Sequence, residues 1–479
     1  MRPYFTNIVC CIFLLVSKVF QAQPAFYEKI YGTAAADQSM SVKQLSDGSI
    51  YVAGYSDVLS PGSFDATLSK LDVYGNLLWT KYYDGGGDDF VFQLITLPDN
   101  SLVMAGSRRI PGGSTDALAI RTDTSGMVLY QATFGSPSQD EAFAYISPDG
   151  YGDLVACGYA ATTSAMNDVY VVKMNVSCGQ IWAKTYGGPD IDYGQRILPA
   201  SDGGYVFSAD SRSFGGGTYD IWLSGIDTAG SNVWNFYSID TVQNGCQGFI
   251  VTQDGNYVIF GETEIYPGSS FNFSLEKVSA TGTGLWKKNF GDPTAKDALF
   301  EIIEQPDKSF ICTGYSNEYN HAGTLDLVIL HADSTGAVAW AENYGGDGTE
   351  IGYDLVPSVN GGYLVTGKTN VLTDDEYYLL SLDALGLLTH IPEDDPAENR
   401  PLIFPNPSAG AFDIRTGGSS GTTLVKIFSL SGQLLYTESA TPAGDRLHID
   451  LRKALPAGCY FVQTGERTSC KAWQLLMIR

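Results

Sequence analysis

The sequence is poor in the residues that hydrolytic and metal chemistry most often recruits. Only four histidines occur in 479 residues, His321, His331, His390 and His448, and none has a His or Cys partner at ligand spacing, which argues against an imidazole-built metal centre. Cysteine is equally sparse. Of eight, Cys10 and Cys11 fall in an N-terminal apolar run, leaving Cys157, Cys178, Cys246, Cys312, Cys459 and Cys470, too few for a disulfide-built scaffold. The first four of these read as small buried apolar residues. Positive charge is scarce: 28 Lys and Arg against 53 Asp and Glu give a net charge of −25, a field that repels nucleic-acid phosphates and anionic lipid. No apolar run approaches the ~20 residues that cross a bilayer as a helix. The run Ile8 to Val16, following Arg2 and preceding Gln21-Ala22-Gln23, has instead the layout of a secretory signal peptide over residues 1–22, cut after Ala22. No cysteine sits at that cut, so no lipid anchor is expected there.

Glycine, proline and aromatic residues are what the chain has in quantity: 54 Gly, 20 Pro and 12% Phe, Trp and Tyr. The aromatics recur at Tyr27, Trp79, Tyr130, Trp182, Trp234, Trp286 and Trp340, with intervals of 52, 51, 52, 52, 52 and 54 residues. A spacing this regular marks an internal repeat. A second series runs in phase with it: Asp65, Asp116, Asp168, Asp220, Asn272, Asp326 and Glu376. Each of the seven units parses into four short strands with period-two alternation, punctuated by Asp-Gly or Gly-Gly turns. A four-stranded sheet with apolar groups on both faces must stack on neighbours, and a ring removes the open ends. The expected fold is therefore all-β, with residues 23–391 forming a seven-bladed β-propeller. The segment Phe26 to Gly32 matches the fourth strand of a unit but precedes the first complete one. The seventh unit ends weakly at Leu387 to His390, so the N-terminal strand is expected to pair into the last blade and lock the ring.

The strongest recurring motif is Asp-x-x-Gly-x-x-x-Trp, as in Asp72, Gly75 and Trp79 or Asp227, Gly230 and Trp234. It resembles tandem propeller repeats of exported bacterial and archaeal proteins. Quinone-binding and sialidase-type propellers carry related boxes, but there too the box is structural and the chemistry needs further groups. The plain reading is an Asp closing a turn on backbone amides, a Gly at positive φ and a Trp packed between blades. Acidic Gly-rich loops at Asp84 to Asp89, Gly188 to Asp192 and Gly346 to Glu350 supply hard oxygens suited to Ca²⁺, but none has the six-ligand spacing of a calcium loop, and solvated turns are the simpler expectation. No catalytic, cofactor or metal residue is assigned. Ligand binding is expected on the connections between second and third strands, which share one face and escape the repeat: Arg108, Arg109, Arg212, Tyr266, Tyr319 and His321 are the candidates.

The acidic, Pro-interrupted stretch 392–401 reads as a linker, and residues 402–479 lose the repeat in favour of short strands fitting a small β-sandwich. Here Phe404-Pro405-Asn406-Pro407, then Ser429-Leu430-Ser431-Gly432, then Leu455-Pro456-Ala457-Gly458 resemble the C-terminal sorting domain of type IX secretion. The resemblance implies passage through the periplasm and across the outer membrane of a Bacteroidota-type bacterium, with the type IX machinery as partner and a secreted or cell-surface destination. If Thr464-Gly465 were a two-residue turn, Cys459 and Cys470 would face each other, leaving a disulfide open. The expected function is recognition of a glycan or protein at the cell surface, with adhesion as one form of it. The alternative of another class is an extracellular polysaccharide hydrolase or lyase on the same scaffold.

Overall fold

The computed structural model describes residues 26–388 apart from 34, 61, 164–165, 216–217, 319–323, 347 and 372–373, and within the tail the strands named below with a few adjoining residues. The expected signal peptide (1–22) and linker (392–401) lie outside the described residues. The chain divides into two compact units, Met1–Thr389 and His390–Arg479, and every described element is a strand.

In the first unit the strands form seven four-stranded antiparallel sheets. Blade 1 consists of Asp37–Gln44, Ile50–Ser60, Ser63–Leu71 and Leu77–Tyr83, and blades 2 to 6 repeat this meander from Asp89, Glu141, Asp192, Asn244 and Asp297. The middle strands are buried on both faces, as Ala66 and Leu68 on one face and Thr67, Ser69 and Leu71 on the other show. The fourth strands are the more exposed ones, with Leu77 and Leu78 about half exposed. Blade 7 takes Glu350–Pro357, Tyr363–Thr369 and Glu376–Leu382 from the end of the repeats, and its outer strand is Tyr27–Tyr31 from the beginning. Tyr27 stands opposite Ser381 and Tyr31 opposite Tyr377. The first strand of every blade touches the first strands on either side, blade 7 against blade 1 included. The ring is closed.

The repeated motif forms the joint between blades. Asp72 Oδ1 accepts the amides of Tyr74 at 2.9 Å and Asn76 at 2.8 Å, fixing a turn in which Gly75 has φ 75°. The bare glycine then serves the neighbouring blade. A Cβ on Gly230 would lie 3.2 Å from the Trp182 ring, and one on Gly336 would lie 2.8 Å from Trp286, so the indole lies flat against backbone where no side chain fits. Trp79, Trp234 and Trp340 meet Gly126, Gly282 and Gly386 in the same way, and Tyr27 meets Gly75 across the closure. One joint departs from this pattern. Blade 3 has Cys178 (φ 60°) in place of the glycine, and the aromatic of the preceding blade is the smaller Tyr130, 45% exposed. At this joint the turn carries a side chain, and the aromatic residue in phase with the tryptophans is the smaller ring. Cys157, Cys178, Cys246 and Cys312 are buried free thiols.

In the second unit Ile403–Phe404, Ala411–Arg415 and Arg446–Asp450 form a three-stranded sheet. A four-stranded one has the order Leu434–Ala440, Thr423–Phe428, Gly458–Glu466, Ser469–Ile478. Phe412, Ile414, Leu447 and Ile449 of the first meet Val425, Ile427, Tyr460 and Val462 of the second in one apolar core, the sandwich expected from the sequence. The Cys459–Cys470 disulfide does not follow. The strand runs extended through Thr464 and Gly465 to Glu466, and Cys470 faces Gly465 while Cys459 faces Met477. The two cysteines are thus separated by roughly 20 Å along the hairpin, far beyond disulfide reach. Of the sorting motif, Gly458 opens a strand, and Pro405, Asn406, Pro407 and Gly432 lie outside the described residues.

Two measurements check the closure and the joint. A chain begun at Gly32 leaves the Glu376–Leu382 edge unpaired and should melt at a lower temperature across the whole ring in one transition; an unchanged midpoint would mean that the pairing contributes nothing. Gly230→Ala should destabilise by about 1–3 kcal/mol through overpacking and positive φ, whereas Cys178→Gly, at the joint already relieved, should stay within about 0.5 kcal/mol.

Candidate functional site: the channel mouth

Each first strand carries a one-residue bulge at the same place. The register passes over Met40, Phe92, Ala144, Gln195, Gln247, Phe300 and Tyr353 in blades 1 to 7. In most blades the opposing second strand has a glycine there. A Cβ on Gly54 would fall 1.9 Å from the Gln38 carbonyl oxygen, so its absence lets the bulged backbone draw close. A bulge re-aims the side chain that it inserts. All seven inserted side chains converge on one central cavity of about 360 Å³, which Tyr159 and Tyr193 also line. That volume is at the small end of the range for small-molecule sites, roughly 300–1,000 Å³.

The residues that follow the bulges form the layer beneath. Arg196 of blade 4 makes a bidentate ion pair with Glu301 of blade 6, one arm at 2.9 Å, with both residues buried. It reaches across blade 5 because Gly248 is there: a Cβ on Gly248 would lie 2.7 Å from Arg196 Nε. The guanidinium also rests on Tyr145, 4.5 Å from the ring centroid, and on Phe260 at 5.0 Å. Burial alone would lower its pKa; the Glu301 carboxylate outweighs burial and holds it charged. Asp354 of blade 7 is similarly committed, accepting from Ser41 Oγ at 2.6 Å, the Val42 amide at 2.9 Å and Lys43 Nζ at 2.8 Å, all in blade 1. Burial would raise this carboxyl, yet Lys43 and these donors bring it below its ordinary value. Both pairs tie separate blades together around the axis.

Above them the wall is aromatic. Phe300 packs edge-on against Tyr353 (5.2 Å) and tilted against Tyr315 (5.9 Å), Tyr159 packs edge-on against Tyr193 (5.5 Å), and Phe92 stacks with Phe90 (6.2 Å). The bulge side chains are all half-buried, so ring faces remain available. Asp210 fixes one polar group by accepting from Gln195 Nε2 at 2.8 Å, and it also takes the Cys246 amide at 2.6 Å. Burial pushes Asp210 up to about 7. Burial, helped by the Asp210 charge, pushes Glu262 up to about 7 as well.

The loop candidates are placed unevenly. Arg108 is tied down: its Nε donates to the buried Asp89 at 2.5 Å and its Nη2 to the Tyr83 carbonyl at 3.2 Å. Arg109 is exposed. The Arg212 guanidinium sits 5.6 Å from the Tyr219 ring. Tyr266 is 53% exposed. Tyr319 and His321 lie outside the described residues. His331 bonds Ser309 Oγ at 2.9 Å and stacks on Trp340, the role of an ordinary packed histidine. The seven bulge residues were missed in the sequence, because the residues on either side of them, such as Ser41, Tyr145 and Arg196, vary from blade to blade as widely as they do.

The in-phase acids form a further layer at the blade joints. Asp168 meets Asp192, and Asp326 meets Glu350, around Gly187 and Gly345; Glu141 faces Asp116, and Glu376 faces Asp37. Burial raises Glu141 and Glu376 to about 7 and Asp297 to about 6.

Residues 402–479 match the family model of the secretion system C-terminal sorting domain. The protein is a propeller sorted for export by the type IX system. Its destination is the cell surface or the medium. None of the curated proteins matches the chain. Among solved structures it is similar to PorZ of Porphyromonas gingivalis, described as an essential surface component of the type-IX secretion system, at 13% identity and a TM-score of 0.40, over 91% of this chain and 74% of that one. It is also similar to a puromycin hydrolase S511A mutant complexed with PGG (11%, TM-score 0.49, 79% and 59%) and to the acylaminoacyl peptidase of Pyrococcus horikoshii (13%, 0.41, 81% and 57%). The chain spans little more than half of those two enzymes, and no activity is carried over from any of these proteins. Among the described residues no helix is long and apolar enough to cross a membrane.

The joint acids set a pH dependence. Their folded pKa values lie above the unfolded carboxylate range of about 4, so between roughly pH 4 and 7 the folded chain holds protons that the unfolded chain has released. Stability should therefore be fully present near pH 4 and should fall as pH rises to 7. Glu141→Gln should flatten that slope in a series of urea midpoints, whereas general charge repulsion would leave it unchanged.

Proposed function

We propose that this protein is an exported recognition module that holds a glycan in the mouth of its central channel. The observation that carries the reading is the convergence of the seven bulge side chains on one cavity. They stand outside the strand register and line the cavity instead of a joint between blades. Half-buried Phe92, Phe300, Tyr353, Tyr159 and Tyr193 offer flat apolar faces suited to the C–H side of a sugar ring, and Gln195 and Gln247 offer amides that both donate and accept to hydroxyls. Arg109, Arg212 and Tyr266 belong to the rim in this reading, while Arg108 serves the scaffold. The sorting tail brings such a site to the outside of the cell, where polysaccharide is met.

A second reading, cleavage of the same class of ligand, has one specific observation in its favour: Asp210 and Glu262 titrate near neutrality close to the mouth, as a general acid must. One experiment separates the two. The protein is screened on a glycan array, and hits are incubated and analysed for products. Binding without product is expected. Phe300→Ala with Tyr353→Ala should weaken capture at least about tenfold with the ring still melting cooperatively; undiminished capture would remove the channel mouth as the site, and products lost in Glu262→Gln would establish the enzyme.

A further inference from the structure

In most of the repeats a glycine follows the last aromatic of the fourth strand, at Gly32, Gly135, Gly187, Gly291 and Gly345. Between blades 1 and 2 that position is Asp84. It joins two acids already at the joint: Asp65, which is 3% exposed, and Asp89, which is fully buried. One carboxylate oxygen from each lies within 4.8 Å of the other two. Most of this oxygen is spoken for. Asp89 accepts from Arg108 Nε and from the Gly85 amide, each at 2.5 Å, and Asp84 Oδ1 accepts the Gly86 amide at 2.5 Å. Asp65 Oδ2 is different: it is enclosed and has no hydrogen-bond partner. An enclosed acceptor without a donor is costly, and a single guanidinium does not balance three carboxylates.

We propose that Asp65, Asp84 and Asp89 hold a hard divalent cation, calcium, that clamps blade 1 to blade 2. The donors are all oxygen, which calcium takes at 2.3–2.6 Å. Three oxygens spread evenly around one ion at about 2.4 Å are about 4.2 Å apart, inside the 4.8 Å within which these three lie; around magnesium, at about 2.0–2.1 Å, they would be drawn to about 3.5 Å. Asp89 remains shared with Arg108, so the affinity belongs to the weak class of extracellular calcium modules, about 10⁻⁴–10⁻³ M, which suits a protein that acts outside the cell. Elsewhere the joint acids meet in pairs, and among the described residues no other group of three comes within coordinating distance. The clamp is independent of the glycan reading.

The test is calorimetry and thermal melting of the full chain in chelator, in magnesium and in millimolar calcium chloride. Calcium should raise the melting temperature by about 2 °C or more, with heats that fit one site and a smaller response to magnesium. Asp84→Gly restores the residue common at the other joints and should fold normally while losing calcium affinity at least about tenfold; Asp65→Asn should lose it as well. No calcium response in the parent chain, or a response that survives in Asp84→Gly, would overturn the proposal.

Discussion

The antiparallel pairing of Tyr27–Tyr31 with Glu376–Leu382 joins segments about 350 residues apart, and the geometry of every blade depends on it. Closing a loop of that length costs about 5 kcal/mol on the (3/2)RT ln n scale, and five residues of pairing must be reinforced by packing to offset it. Tyr27 buries its ring with Val42, Ile50, Val52 and Leu71 of blade 1 and with Leu364, Tyr377 and Leu379 of blade 7. The Tyr378 hydroxyl donates to Glu28 at 2.6 Å. The closing strand thus repeats the joint found between the other blades, with Tyr27 on Gly75 in the place of Trp on glycine. Without it, blade 7 would expose one edge and blade 1 one face.

Joints of this kind combine opposing terms. The aromatic–glycine contact is apolar and favours close approach, and the same approach drives acids such as half-buried Asp168 and buried Asp192 toward each other. The blades can close on one another only if that repulsion is relieved by a proton, by a donor or by a counter-charge. The joints use different solutions. Asp297 is met by the Ser316 hydroxyl at 2.6 Å and by Asn272, an amide in the place of an acid, and Asp89 is met by Arg108. This explains why Arg108 is irregular in the repeat without being a ligand group. It answers a local charge, and residues that escape a repeat include such repairs as well as binding groups.

That distinction marks where the sequence could be read and where it could not. The 52-residue spacing of Trp79, Trp182, Trp234 and Trp286 revealed the blades because each indole depends on a glycine in the next unit, and that dependence is written at fixed intervals. The orphan strand at Tyr27 was legible for the same reason. The channel was not. A bulge shifts the alternation by one residue, as the burial pattern of Asp37–Gln44 shows, but in a strand of eight residues so short a break is lost among irregular neighbours, and Gln195 or Phe300 looks in sequence like any other first-strand position. The turn after Gly458–Glu466 was misplaced because Thr464-Gly465 has turn-like composition but stays in the ladder, with a register shift beside Gly465 and Cys470.

The bulge also decides which positions in a repeat are free to vary. A first-strand residue in register has its side chain against one neighbouring blade or the other, so changing it disturbs a joint that recurs around the ring. A bulged residue is unpaired on its own strand, and its side chain turns toward the axis, where it meets the other bulges instead of a core. Substituting Met40, Ala144 or Gln247 therefore alters the cavity while leaving the ladder intact. Beneath them, the Arg196–Glu301 pair passing over Gly248 and the Asp354–Lys43 pair hold blades 4 and 6 and blades 7 and 1 together by charge. A rigid ionic layer under a variable aromatic one lets the mouth of the channel change its chemistry without loosening the ring that carries it.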